Sequence, residues 1–82
     1  ATDNADIVAQ LSAEQIQRLI IQLPAGYRTV FNLYAVEGMS HREIAKLLHI
    51  TESTSASQYH RAKALLQRKI NEMFNPNRLK DE

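Results

Sequence analysis

The sequence predicts an all-α fold, a four-helix bundle whose last two helices form a C-terminal helix-turn-helix, winged-helix-like in layout but with no wing. Three observations carry this. The 82 residues are 44% hydrophobic but only 6% aromatic, with two Gly and two Pro, a balance that favours helices over sheet. Apolar residues recur at helical spacing in four separate stretches. Residues that start or stop helices mark the stretch boundaries: Ser12, Pro24, Ser40 and Thr51 at starts, Gly38 at an end.

Residues 1–11 carry turn-forming polar side chains without a sustained period and are expected to be a flexible lead-in or linker, although Ile7, Val8 and Leu11 are also compatible with an extra docked turn. The helical domain is expected over residues 12–74. Ser12 with Gln15 makes a capping box, and Ile16, Leu19, Ile20 and Leu23 follow as the buried face of a first helix. Pro24 ends that helix and suits the first turn of the next. Tyr27, Val30, Phe31, Leu33, Tyr34 and Val36 give the second helix a broad apolar surface, and Gly38 caps its end.

Ser40 and Glu43 form a second capping box, with Met39 placed to staple against Ile44. The spacing of Ile44, Leu47 and Leu48 predicts the inner face of a short third helix and leaves His41, Arg42 and Lys46 outward. Ala45 lies where a close neighbour needs a small side chain. His49 occupies a turn position that usually requires positive φ, where His is tolerated and Gly preferred. Thr51 is the cap of the last helix, with Glu52 on its first turn. Two helices joined by so short a turn form the motif whose second helix enters a DNA major groove.

From Glu52 to Phe74 there is neither Gly nor Pro, so the fourth helix is the longest. Ser55, Tyr59, Ala62, Leu66, Ile70 and Met73 line one stripe, with Ser55 standing where a branched apolar residue is usual. The opposite face of the first three turns carries Ser53, Thr54, Ser57, His60, Arg61 and Ala64, flanked by Ala56 and Gln58. Asn75, Pro76 and Asn77 end the helix, and the tail, residues 75–82, is expected to be disordered.

A chain of this length suits one small domain and excludes a large enzyme core. The absence of Cys removes disulfides, thiolate zinc sites and thiol nucleophiles. No apolar run approaches the ~18 residues of a membrane span, so no membrane partner and a cytoplasmic location are expected. His41, His49 and His60 share no short ligand spacing, and the Ser and Thr residues between Ser53 and Ser57 lack an evident base, so neither metal, cofactor nor catalysis is expected. Tyr27, Phe31, Tyr34 and Tyr59 fall on the apolar stripes and are read as core, not as a stacking platform for bases. Residues 1–40 carry two Arg against four acidic residues, whereas residues 41–82 carry eight basic against five acidic, so positive charge gathers in the half that holds the helix-turn-helix.

Several of these short patterns stand in one register: Leu23-Pro24, Val30-Phe31, Glu37-Gly38-Met39-Ser40, Glu43-Ile44-Ala45, Ile50-Thr51-Glu52 and His60-Arg61-Ala62. Together they resemble region 4 of the extracytoplasmic-function group of bacterial RNA polymerase sigma factors, over roughly residues 11–70; Ser55 and Gln58 resemble members from the Bacteroidetes lineage. The resemblance implies recognition of the promoter minus-35 element in double-stranded DNA, docking on the flap of the polymerase beta subunit, and an anti-sigma factor as a further partner. It also implies that the chain is one fragment of a longer protein.

By the same resemblance, His41 and Arg42 fall where the third helix meets the DNA backbone, and Ser57, His60 and Arg61 where bases and nearby phosphates are contacted. Thr51 and the first-turn amides offer a phosphate site, Gln58 matches adenine, Arg61 matches guanine, and Lys63 supports a phosphate. Ser53, Thr54 and Ala56 complete the expected DNA-binding set. Ala56 and Gln58 stand where relatives often carry basic residues, which implies weaker phosphate attraction. Two other classes compete: the DNA-binding output domain of a response regulator, and a helical protein-interaction module that binds polymerase or an anti-sigma factor without touching DNA.

Overall fold

The computed structural model describes residues 11–74, and the lead-in before Leu11 and the tail after Phe74 lie outside them. Four α-helices follow in order: α1 Ala13–Ile21, α2 Ala25–Phe31, α3 His41–Leu48 and α4 Glu52–Phe74. No strand occurs among the described residues. The bundle with its C-terminal helix-turn-helix is therefore as the sequence predicts.

Local chemistry sets where each helix begins. At Ser12 the hydroxyl accepts from the Gln15 amide at 3.1 Å while the Gln15 side chain accepts from the Ser12 amide at 2.9 Å. Ser40 and Glu43 repeat the same reciprocal pair at 3.1 and 2.9 Å. The backbone amide of Ser40, and after it the Ser40 hydroxyl, hold the Glu43 carboxyl below its usual range. Pro24 caps α2 without a side-chain bond, its fixed φ suiting the entry. Thr51 opens α4 by accepting from the Thr54 amide at 3.0 Å. At the corner between α1 and α2, Arg28 Nη1 donates to the Ile21 carbonyl at 2.9 Å and so occupies one of the acceptors left over at the end of α1.

The second helix differs from a single uniform α-helix. After Phe31 the backbone widens into a π-helical turn, Asn32–Val36, in which the Glu37 amide donates to the Asn32 carbonyl at 2.9 Å. Gly38, at φ +77, then reverses the chain, with nothing near enough to obstruct a side chain but a backbone that favours glycine.

α4 is the wall shared by the rest, packing against α1, α2 and α3. Its later turns supply Ala62, Leu66 and Ile70 to a core completed by Leu11, Leu19, Ile20 and Leu23, with Ile16, Tyr27, Phe31 and Leu65 at its edge. Among the described residues the core begins at Leu11, the last residue of the expected lead-in. Nearer the helix-turn-helix, Val30, Ile44, Ala45 and Ser55 are buried. Burial of Ile44 alone, fully shielded from water, contributes about 1.5–3 kcal/mol.

Several expected placements differ. Leu47 is 55% exposed, because α3 turns His41, Ile44, Ala45 and Leu48 toward the bundle and Leu47 lies more than a quarter-turn from that stripe. His41, expected outward, is half-buried and bonded to Ser55 on α4. Met73 is 47% exposed, because it lines an open cleft against Gln15, Arg18 and Leu19 of α1 instead of packing into the core. Tyr27, Phe31 and Tyr59 are half-buried as core residues, with Phe31 and Tyr59 rings stacked at 5.8 Å, while Tyr34 packs on Tyr59 from the outside at 4.5 Å.

The turn between α3 and α4 rests on His49 at φ 59, ψ 45, a left-handed conformation for a side chain that is itself exposed. Relief of that conformation makes His49→Gly more stable by about 1 kcal/mol in urea unfolding, and the β-branched His49→Val less stable. Acid titration gives a second test. Glu43 has a depressed pKa in the folded state, so its contribution is present above the unfolded-state pKa and is lost as pH falls through the folded one. Glu43→Gln should therefore flatten the acid limb of the stability profile, a result followed by thermal melts across that limb.

Candidate nucleic-acid interface

Because α4 buries Ser55, Ala62, Leu66 and Ile70 on one side, the 100° step of the helix places Ser53, Ser57, His60, Arg61 and Ala64 on the other, and all five are exposed. No described element covers that face. Between Ser53 and Asn71 the helix carries Arg61, Lys63, Arg68 and Lys69 and no acidic residue. Among the described residues the ion pairs are Arg18–Glu14 and Arg68–Glu72, so neither engages Arg42, Arg61 or Lys63. Lys63 is exposed on the flank, and Arg42 is exposed on the first turn of α3.

The remaining expected contacts are placed differently. Thr51, Ser53 and Thr54 are exposed, but the Thr51 hydroxyl is committed to the cap: it accepts from the Thr54 amide, donates to the Thr54 hydroxyl at 2.8 Å, and lies 3.2 Å from the Ser53 hydroxyl. Any phosphate there would be held by first-turn amides and by Ser53, with Thr51 supporting them. Ala56 is half-buried on the flank and has no polar group to offer.

Gln58 is half-buried, and its Oε1 is shielded from solvent without a hydrogen-bond partner. It lies over α2, 3.5 Å from where a Cβ on Gly26 would stand. Around it is a cleft of about 260 Å³ lined by Gly26, Thr29, Val30, Leu48, Ile50 and Gln58. The structure therefore does not bring Gln58 together with Ser57, His60 and Arg61. A larger cleft, about 400 Å³, sits at the far end between α1 and the last turns of α4, among Gln15, Arg18, Leu19, Lys69 and Met73, remote from the exposed face of the first turns of α4.

His41 is the residue whose surroundings sequence reasoning missed. Its Nδ1 is 2.9 Å from Ser55 Oγ, and its ring stacks on Tyr34 with centroids 4.2 Å apart and planes 6° from parallel. Tyr59, itself 4.5 Å from Tyr34, stands at 5.9 Å on the same side of the ring. A polar residue in the buried stripe of α4 was the signal: Ser55 needs a partner, and His41 on the facing helix is placed to supply one.

Among the described residues no group of three His, Asp or Glu side chains is placed to share a metal ion, and no helix is long and apolar enough to cross a membrane. The array is a helix face of hydroxyls, imidazole and guanidinium, suited to hydrogen bonding with base edges and phosphates.

Comparison with curated proteins and with solved structures gave no match. The family model for sigma-70, region 4, matches residues 13–66, from the start of α1 to the last turn of α4 that carries a core leucine in common with α1. The exposed face described above lies inside that match, and the chain belongs to the sigma-70 region 4 family, helix-turn-helix DNA-binding domains that bind the minus-35 promoter element.

Proposed function

We propose that the chain is the minus-35-reading domain of an extracytoplasmic-function sigma factor and directs transcription initiation by bacterial RNA polymerase. The observation that carries this is the open α4 face of Ser53, Ser57, His60 and Arg61, held by a helix-turn-helix that lies within the family match. The first three turns of α4 enter the major groove. Arg61 pairs with the O6 and N7 acceptors of a guanine, while Ser57 and His60 contact neighbouring base edges or phosphates. Arg42, Lys63, Ser53 and the first-turn amides of α4 hold the backbone and fix register. Gln58, on the flank of α4, lies behind that face and packs over Gly26 of α2.

With few cations on the reading face, the domain alone binds duplex DNA near the non-specific range of about 10⁻⁴ to 10⁻⁶ M at physiological salt. Docking on the polymerase beta flap converts that weak contact into an intramolecular one. An anti-sigma factor competing for the same surfaces is the partner that would silence it. The family match favours this reading over a response-regulator output domain.

The test is an NMR titration of the labelled 82-residue protein at low salt with a short duplex carrying a candidate minus-35 element. Shifts concentrated at Arg42 and between Thr51 and Ala64 support the reading; stillness there alongside shifts with a flap fragment supports a protein-only module. Arg61→Ala should cost about 1–3 kcal/mol of binding and relax preference at one base position. Gln58→Met should leave affinity for the duplex within about twofold, because the change replaces an unpartnered amide oxygen with an apolar atom.

A further inference from the structure

Ser55 has no solvent exposure, so its hydroxyl hydrogen must find an acceptor inside the protein. A helical serine or threonine often donates to the carbonyl four residues back, as Thr29 does to Ala25 at 2.9 Å. Ser55 does not use that route: its hydroxyl lies 2.9 Å from His41 Nδ1. Two arrangements fit the distance. If Nδ1 carried the proton and donated, the Ser55 hydroxyl hydrogen would be stranded in the core. If Ser55 donates, its hydrogen is satisfied and only oxygen lone pairs go unfilled, which is the cheaper shortfall.

We infer that Ser55 is a positioning residue: by donating to Nδ1 it holds His41 in the neutral tautomer whose proton is on Nε2, aimed away from the core as a donor for a DNA phosphate. The two ring nitrogens point in divergent directions, so an Nδ1 committed to buried Ser55 sends Nε2–H outward from the first turn of α3. Tyr34, nearly parallel at 4.2 Å, and Tyr59, tilted at 5.9 Å, fix the plane of the ring. Arg42 is the next residue, so the first turn of α3 offers a directed neutral N–H beside a guanidinium. The phosphate half of this inference rests on the promoter-binding reading above; the tautomer half does not.

The experiment records long-range ¹H–¹⁵N spectra of the imidazole of His41 in the 82-residue protein, at a pH where its own ¹⁵N shifts show the ring neutral. A protonated, pyrrole-type Nε2 and an unprotonated, pyridine-type Nδ1 are expected, retained in Ser55→Thr and averaged between tautomers in Ser55→Ala. A proton on Nδ1 in the wild type overturns the inference, and so does an unchanged pattern in a folded Ser55→Ala. Duplex titrations supply the second readout. Ser55→Ala should weaken binding about 2- to 10-fold, the range of one hydrogen bond. In a His41→Gln background, whose amide brings its own N–H, the same change should have little effect. Equal losses in both backgrounds would show that Ser55 acts only through packing and would overturn the positioning role. Failure of every variant, the wild type included, to bind any duplex would overturn the promoter reading, while the spectra of the free protein still decide the tautomer.

Discussion

The left-handed backbone at His49 is the constraint on which the functional half of the molecule depends. α3 and α4 are separated by three residues, and a right-handed conformation at His49 would extend α3 where the chain must turn. Its amide and that of Ile50 both return to the Ala45 carbonyl region, the Ile50 bond at 3.0 Å, so the turn closes on the residue whose small side chain lets the helices approach. From this follow the angle of α4, the burial of Ile44 beneath it, and the exposure of the face opposite Ser55. A non-glycine residue accepts strain at this point.

The capping and turn chemistry was legible from the chain alone because it is local. Ser12, Ser40 and Thr51 act within three residues of themselves, and Gly38 and His49 announce positive φ by residue type. The core stripe of α4 was legible for a similar reason, its period running through one uninterrupted helix. What escaped were properties that depend on which way a short helix faces. Over the eight residues of α3 the stripes through Leu47 and through His41 fit the periodicity almost equally well, and only the partner on α4 decides between them. Ser55 makes that decision, because a buried hydroxyl rewards a polar neighbour, and the residue that looked like a departure from the motif is the one that orients it.

The same dependence on partners explains Gln58 and the π turn. A glutamine beside Ser57, His60 and Arg61 has the right chemistry for adenine, yet its side chain is long enough to fold back over Gly26 of α2. The widened turn at Asn32–Val36 leaves no mark in apolar spacing, since Val30, Phe31 and Tyr34 suit either helix. Its effect is spatial: it delivers the Tyr34 ring onto His41.

The distribution of charge bears on how such a domain selects a site. Each phosphate neutralised by a cation adds roughly 0.9 to the salt dependence of binding to duplex DNA, and the cations near the proposed reading face are few, chiefly Arg42, Arg61 and Lys63. Backbone attraction of this size leaves the domain little affinity for arbitrary sequence, which lowers the background against which base contacts must discriminate. The neutral donors on α4, Ser53, Ser57 and His60, add direction without adding general attraction. On the proposed reading, discrimination is separated from affinity: the helix face supplies the first, and tethering to a polymerase raises the local concentration that supplies the second. A more basic helix would reverse that balance, binding tightly before the rest of the assembly had engaged.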